Sequence, residues 1–230
     1  MRCLVMDRSS AKPGLALFEN SVLVRERTWD GEPTRAPEWM ADVAQTLREE
    51  NWSVAEIARF VCGLGPGSFS GIRACLSALH GMALPGNRPV VGIASAAALA
   101  LGAAQGEERI TVIGDARRNR LWCVTYRVNS ESGCVRLDNA CLPTHTSQDF
   151  TLVPADSLQE SVPFGTRIVS ADWQRLESIL MAIFESHRLV RSVCYPCAST
   201  LGRVAFSEST ANLSEPLPIY LHPAVSQYGG

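Results

Sequence analysis

The chain has 230 residues, of which 46% are hydrophobic and 19% charged, with no low-complexity run; this is the composition of one large or two small globular domains and excludes a disordered chain. Its net charge is −2, its arginines are scattered and Lys12 is its single lysine, so it lacks the concentrated positive charge with which a protein grips a phosphate backbone unaided. Eight cysteines in so apolar a chain read as small buried hydrophobes of a reducing compartment, and no apolar run approaches the roughly 18 residues of a membrane span.

The opening run RCLVMD (2–7) predicts a short strand that reaches a carboxylate after four apolar residues, which fits neither export nor insertion and points to the cytoplasm. A polar turn around Pro13 and Gly14 separates it from two further strand-like runs, LALFE (15–19) and SVLVRERTW (21–29). Helical and strand periods then alternate: a helix near 35–51, a strand near 58–63, a helix near 69–84, a strand at 89–93 and a helix near 95–105. The same syntax returns 108 residues after Asp7 with RITVIGD, ending in Asp115, the turn ARRNR, then LWCVTYRV and CVRLDNACL. Weaker equivalents follow: a helix near 147–160, a strand at 166–170, a helix at 171–186, a strand at 188–195 and a helix at 197–208. A twofold βββαβα pattern predicts an α/β fold of duplicated ribonuclease-H-like units of the actin and Hsp70 class (ASKHA). The expected domains are 1–105 and 106–208, with 209–230 returning to complete the first. Fold analogy alone assigns no activity.

The most specific stretch is FVCGLGPGSFSGIR (60–73). A strand ends at Gly63, then Gly65, Pro66, Gly67, Ser68, Phe69, Ser70 and Gly71 form a tight turn whose serine can cap the next helix. A Walker loop would need Gly-Lys-Ser/Thr, and Pro66 and Ser68 break the dinucleotide-binding spacing. A nucleophile elbow is excluded because Phe69 occupies the centre of GSFSG. In the following helix Gly71, Ala74, Ala78 and Gly81 share a nearly bare face, while Phe69, Ile72, Leu76 and Leu79 line an apolar one. The preceding helix adds Trp39, Met40, Val43 and Leu47 at helical spacing. Packing on their own sheet accounts for most of these residues. An interface is expected at the remainder, Trp39 and Met40 first, since large apolar groups near a helix start often stay exposed.

GLGPGSFSGIR closely resembles the GPGSFTGLR signature of the TsaB (YeaZ) family, scaffold subunits in threonylcarbamoyladenosine modification of tRNA. Asp7-Arg8-Ser9, Pro89-Val90-Val91-Gly92-Ile93, Asp115-Ala116-Arg117 and Pro218-Ile219-Tyr220-Leu221 are similar, in the same order, to further family motifs. Departures are Arg8 and Ser70, each for threonine, and His222 where arginine is usual. The resemblance implies a non-catalytic subunit that binds TsaD, the catalytic paralogue. The modified base is the adenosine 3′ of the anticodon in tRNAs reading ANN codons, and tRNA is reached only indirectly. It also implies a TsaE-type ATPase in the same complex, and homodimers through helices of the first domain. Trp39, Met40, Val43, Leu47, Gly71, Ala74 and Ala78 are the expected partner surface. The paralogue's metal-binding His-x-x-x-His pair falls here on Ser95 and Leu99, which cannot serve as such ligands, so no metal is expected. No resident cofactor is implied, with nucleotide at a subunit boundary left open.

Asp7 and Asp115 occupy the strand ends where actin-like ATPases hold metal and phosphate, and read either as a vestigial nucleotide cleft or as carboxylates capping turns. A stand-alone hydrolase or ATPase of the same fold is the alternative function. Cys194-Tyr195-Pro196-Cys197 looks like a redox motif, but too few residues follow for a thioredoxin unit and no second CxxC completes a zinc site. His80, His145, His187 and His222 are dispersed and show no triad order.

Overall fold

The computed structural model describes residues 1–29, 36–138, 146–207 and 216–221. Three antiparallel strands open it: β1 (Arg2–Asp7), β2 (Gly14–Glu19) and β3 (Val22–Thr28). They are followed by α1 (Ala36–Glu49), β4 (Ile57–Gly63), α2 (Phe69–Ala83), β5 (Val90–Ile93) and α3 (Ser95–Ala103). β4 and β5 add in parallel, giving the sheet order β3-β2-β1-β4-β5. β1 and β4 are apolar on both faces because helices cover both. The register assigns those faces. Cys3 pairs with Phe18, whereas Met6 pairs with Leu15 and with Cys62. Cys62 Sγ lies 3.6 Å from Cys75 Sγ of α2, so the Met6 side belongs to α2 and the Phe18 side to the helices described below.

The second half repeats the plan with β6 (Glu107–Arg117), β7 (Arg120–Asn129), β8 (Cys134–Leu137), β9 (Thr151–Pro154), α4 (Leu158–Ser161), β10 (Arg167–Val169), α5 (Trp173–Ile183) and α6 (Ala198–Ser207). Its sheet runs β10-β6-β7-β8, with β9 also on β7. The hairpin β6–β7 corresponds to β1–β2, and β10 lies parallel to β6 as β4 does to β1. The two aspartates even make the same turn: Ser9 N–H donates to Asp7 Oδ1 and Arg117 N–H to Asp115 Oδ1, both at 2.7 Å. The fold is α/β, with duplicated ribonuclease-H-like units of the actin-like kind.

Two expected elements differ. The helix expected near 147–160 is instead a 3-10 turn, β9, a second turn and the four-residue α4. Thr151-Leu152-Val153 is β-prone, the register pairs it with Leu121–Cys123, and Pro154 cannot donate within a helix. The strand expected at 188–195 shrinks to one bridge between Ile168 and Leu189, because the segment runs into Tyr195-Pro196, where the ladder loses a donor.

α3 (SAAALALGA) is apolar all round, which a helix tolerates only when it is covered on all sides. It packs on α6 and on β6 and β7, while α6 crosses β1, β2 and β4. Gly202 of α6 permits that crossing, since a Cβ there would lie 2.3 Å from Phe18 Cε2. Gly202→Ala is expected to cost about 1–3 kcal/mol in guanidinium unfolding. Gly102→Ala on α3 is the control: its Cβ would meet only Thr200 Cγ2 at 3.8 Å, so it should be neutral or slightly stabilising. Among the described residues no helix is long and apolar enough to cross a membrane.

Candidate functional site

The 63–71 loop is a buckle over the amino-terminal turn. Leu64 N–H donates to Ile93 O (2.8 Å), Gly65 N–H to Ser95 Oγ (3.0 Å) and Ser68 N–H to Ser9 O (2.7 Å). These donors are turned inward onto the chain, whereas a phosphate cradle presents its N–H groups to a ligand. Gly65 takes φ +93° and precedes a cis bond to Pro66. A Cβ at Gly67 would sit 2.0 Å from Ser9 O, and one at Gly71 2.2 Å from Arg8 O. Ser68 Oγ accepts from Gly71 N–H (3.2 Å) and caps α2. Ser70 is exposed, and Phe69 stands outside, with Arg73 Cζ 4.9 Å from its ring and Tyr220 5.2 Å away. Ile219 N–H donates to Leu64 O (3.0 Å), so the 216–221 segment finishes against this loop.

Asp7 is buried at the end of β1. Its Oδ1 accepts from Ser9 N–H and Ser9 Oγ (2.6 Å), while its Oδ2 has the Ser95 hydroxyl as its one polar neighbour among the described residues. Burial pushes this carboxyl above the usual aspartate value, and the Ser9 bonds together with the Ser95 hydroxyl pull the other way. Asp115 is more open: Arg117 and Arg175 each place an Nη1 3.4 Å from its Oδ2, and its N–H donates to Asp172. Among the described residues none is bonded to both aspartates, and no group of three His, Cys, Asp or Glu could hold a metal ion.

On the opposite side of the turn from Asp7, Arg8 is 7% exposed, with its Cζ 4.3 Å over the Trp39 ring. Its Nε and Nη1 and the Trp39 Nε1 are buried without acceptors. Trp39 is therefore covered, contrary to the expectation that it stays exposed, because Arg8 lies over its ring. Val43 and Leu47 are also core residues. Gly71 faces the Arg8 carbonyl, so its missing side chain serves the turn. Met40, Ala74 and Ala78 keep partial exposure, and Gly81 has open space around it.

Ser95 and Leu99 are both buried in α3. Sequence reasoning treated Ser95 only as a missing ligand and overlooked that its hydroxyl ties down Gly65. It also missed the Arg8–Trp39 stack, although Arg8 replacing the family's threonine was a signal. Cys194 is half-buried and Cys197 exposed, and partial desolvation of the Cys197 sulfur, with the nearby Glu26, raises its thiol, the reverse of redox activation. His80 is half-buried and His187 stands exposed beside Glu185, while His145 and His222 lie outside the described residues.

A family model described as TsaD, tRNA N6-adenosine threonylcarbamoyltransferase, matches residues 38–151. The tRNA threonylcarbamoyladenosine biosynthesis protein TsaB of Escherichia coli (strain K12) is 30% identical over 136 residues, a match spanning 55% of each chain. YeaZ from Pseudomonas aeruginosa aligns with a TM-score of 0.71 and 22% identity, covering 90% of this chain and 92% of that one. Another Pseudomonas aeruginosa structure, described as similar to peptidase YEAZ, has a TM-score of 0.75 and 21% identity over 96% and 99% of the two chains. At those identities the two structures establish a shared fold.

Proposed function

We propose that the chain is a protein of the TsaB (YeaZ) family and, within it, a non-catalytic subunit in tRNA threonylcarbamoyladenosine biosynthesis that binds and activates a TsaD-type paralogue. The carrying observation is α3: Ser95 and Leu99 stand where the resemblance puts the paralogue's histidine pair, and both are committed to packing, Ser95 through Gly65. In this reading the catalytic subunit reaches the adenosine 3′ of the anticodon in tRNAs reading ANN codons. A TsaE-type ATPase joins the same complex, and a homodimer uses the same face as the paralogue. The partner surface is carried by Met40, Ala74 and Ala78 beside Gly81, small groups that let another helix approach closely. Residues 1–105 and 106–208 are the proposed domains.

The test is association with the cognate paralogue by calorimetry, together with threonylcarbamoyl incorporation into tRNA with and without this chain. Ala74→Glu and Ala78→Glu are expected to weaken association at least tenfold while circular dichroism stays unchanged. No association at micromolar concentrations would sink the proposal. Solo ATP or peptide hydrolysis lost on Asp7→Ala would instead favour the hydrolase reading.

A further inference from the structure

From the donors stranded around the first turn we infer that Arg8 and Trp39 form a receptor for one carboxylate, supplied by an acidic side chain of the protein partner. The occupant rests on the reading of the α1–α2 face as the partner surface; the receptor itself does not.

Arg8 and Trp39 are 7% and 4% exposed, yet Arg8 Nε and Nη1 and Trp39 Nε1 donate to nothing. A buried guanidinium with no counter-ion among the described residues is costly to keep, and a buried unpaired indole N–H adds to it. The neighbouring carboxylates among the described residues are otherwise placed. Asp42 of α1 accepts from Trp29 Nε1 at 2.6 Å, and Asp7 points through the other face of β1, where its Oδ1 serves Ser9.

The turn also lies at the positive end of α2: the Arg8 carbonyl abuts Gly71, and the first turn of that helix carries no acidic residue. Two cation-like features and an indole donor thus converge with no anion among the described residues. A carboxylate fits this set best. It matches the planar two-pronged edge of a guanidinium, leaves an oxygen for the indole N–H, and brings the single negative charge that one arginine balances. A phosphate dianion would leave a buried charge over.

The full-length chain, labelled with nitrogen-15, would be titrated with sodium acetate, sodium phosphate and, at matched ionic strength, sodium chloride, following the Arg8 Nε–Hε and Trp39 Nε1–Hε1 signals. Acetate is expected to move both saturably in the millimolar range and chloride to move neither. Arg8→Gln should abolish the response at Trp39 and lower affinity for the paralogue at least tenfold, with Arg8→Lys recovering only part. Absence of any acetate-specific shift in the wild type would overturn the receptor, and tighter phosphate binding would overturn the carboxylate assignment. Acetate binding with unchanged paralogue affinity in Arg8→Gln would overturn the occupant. If the wild type does not bind the paralogue at all, the functional proposal falls, while the acetate titration still decides the receptor.

Discussion

Replacing Gly71 by alanine is expected to destabilise the chain by roughly 2–3 kcal/mol, whereas the same change at Gly81, ten residues along the same helix, should stabilise it by about 0.5–1 kcal/mol. In sequence the two glycines lie on one small-residue stripe; in the structure they have opposite jobs. The added Cβ at Gly71 would stand 2.2 Å from the Arg8 carbonyl oxygen and 3.0 Å from Ser68 Oγ. The first is backbone, and it belongs to a turn already fixed by the Ser68 N–H bond to Ser9 O, so it cannot yield cheaply. At Gly81 nothing lies within 4 Å, and alanine gains only its better helix propensity. Guanidinium unfolding of both variants measures the contrast. Similar stabilities for the two would show that the turn relaxes freely and that the 65–71 motif is no buckle. If the exposed part of the stripe is the partner surface, Gly81→Ala should also weaken paralogue binding while the fold gains stability.

The sheet-forming half of this architecture was legible because its signals are local. RCLVMD and RITVIGD are apolar runs closed by aspartate, and the resulting strands carry the same aspartate turn. The helix expected near 95–105 is α3, apolar all round and buried from Ser95 to Leu101. What sequence could not show was ownership of each face. α6 follows the second sheet in the chain yet packs across β1, β2 and β4, a contact that depends on Gly202 meeting Phe18 nearly two hundred positions away. The expected exposure of Trp39 differs for a related reason. Trp39 reads as an exposed anchor on a helical wheel until a distant residue, Arg8, lies over its ring. Residues 147–160 misled because short helical and strand segments look alike over so few residues, and pairing with β7 settled the choice.

Asp7→Asn is expected to stabilise the chain at neutral pH and to flatten its pH dependence. The carboxyl is 1% exposed; two bonds from Ser9 hold Oδ1, and Oδ2 is wedged at Gly63, where a Cβ would be 2.0 Å from it and 2.8 Å from Ser95 Oγ, with the Ser95 hydroxyl as its one polar neighbour among the described residues. Burial raises its pKa in the folded chain above the ordinary 3.8. Below that value the carboxyl is protonated in both states and exacts no penalty. As pH climbs from about 4 toward the folded value, the unfolded chain releases the proton while the folded chain retains it, so stability falls; above the folded value the loss is constant. Each tenfold increase in proton affinity on folding is worth about 1.4 kcal/mol of that loss. Asparagine keeps the acceptor for Ser9 and sets a neutral amide at Oδ2. The gap between variant and wild type should therefore widen as pH rises from about 4 in guanidinium unfolding curves. Parallel pH profiles would mean that the carboxylate is ionised and compensated, and that the burial assigned to it is wrong. A variant that is more stable yet fails to activate the paralogue would mark Asp7 as a charge retained for function at the expense of the fold.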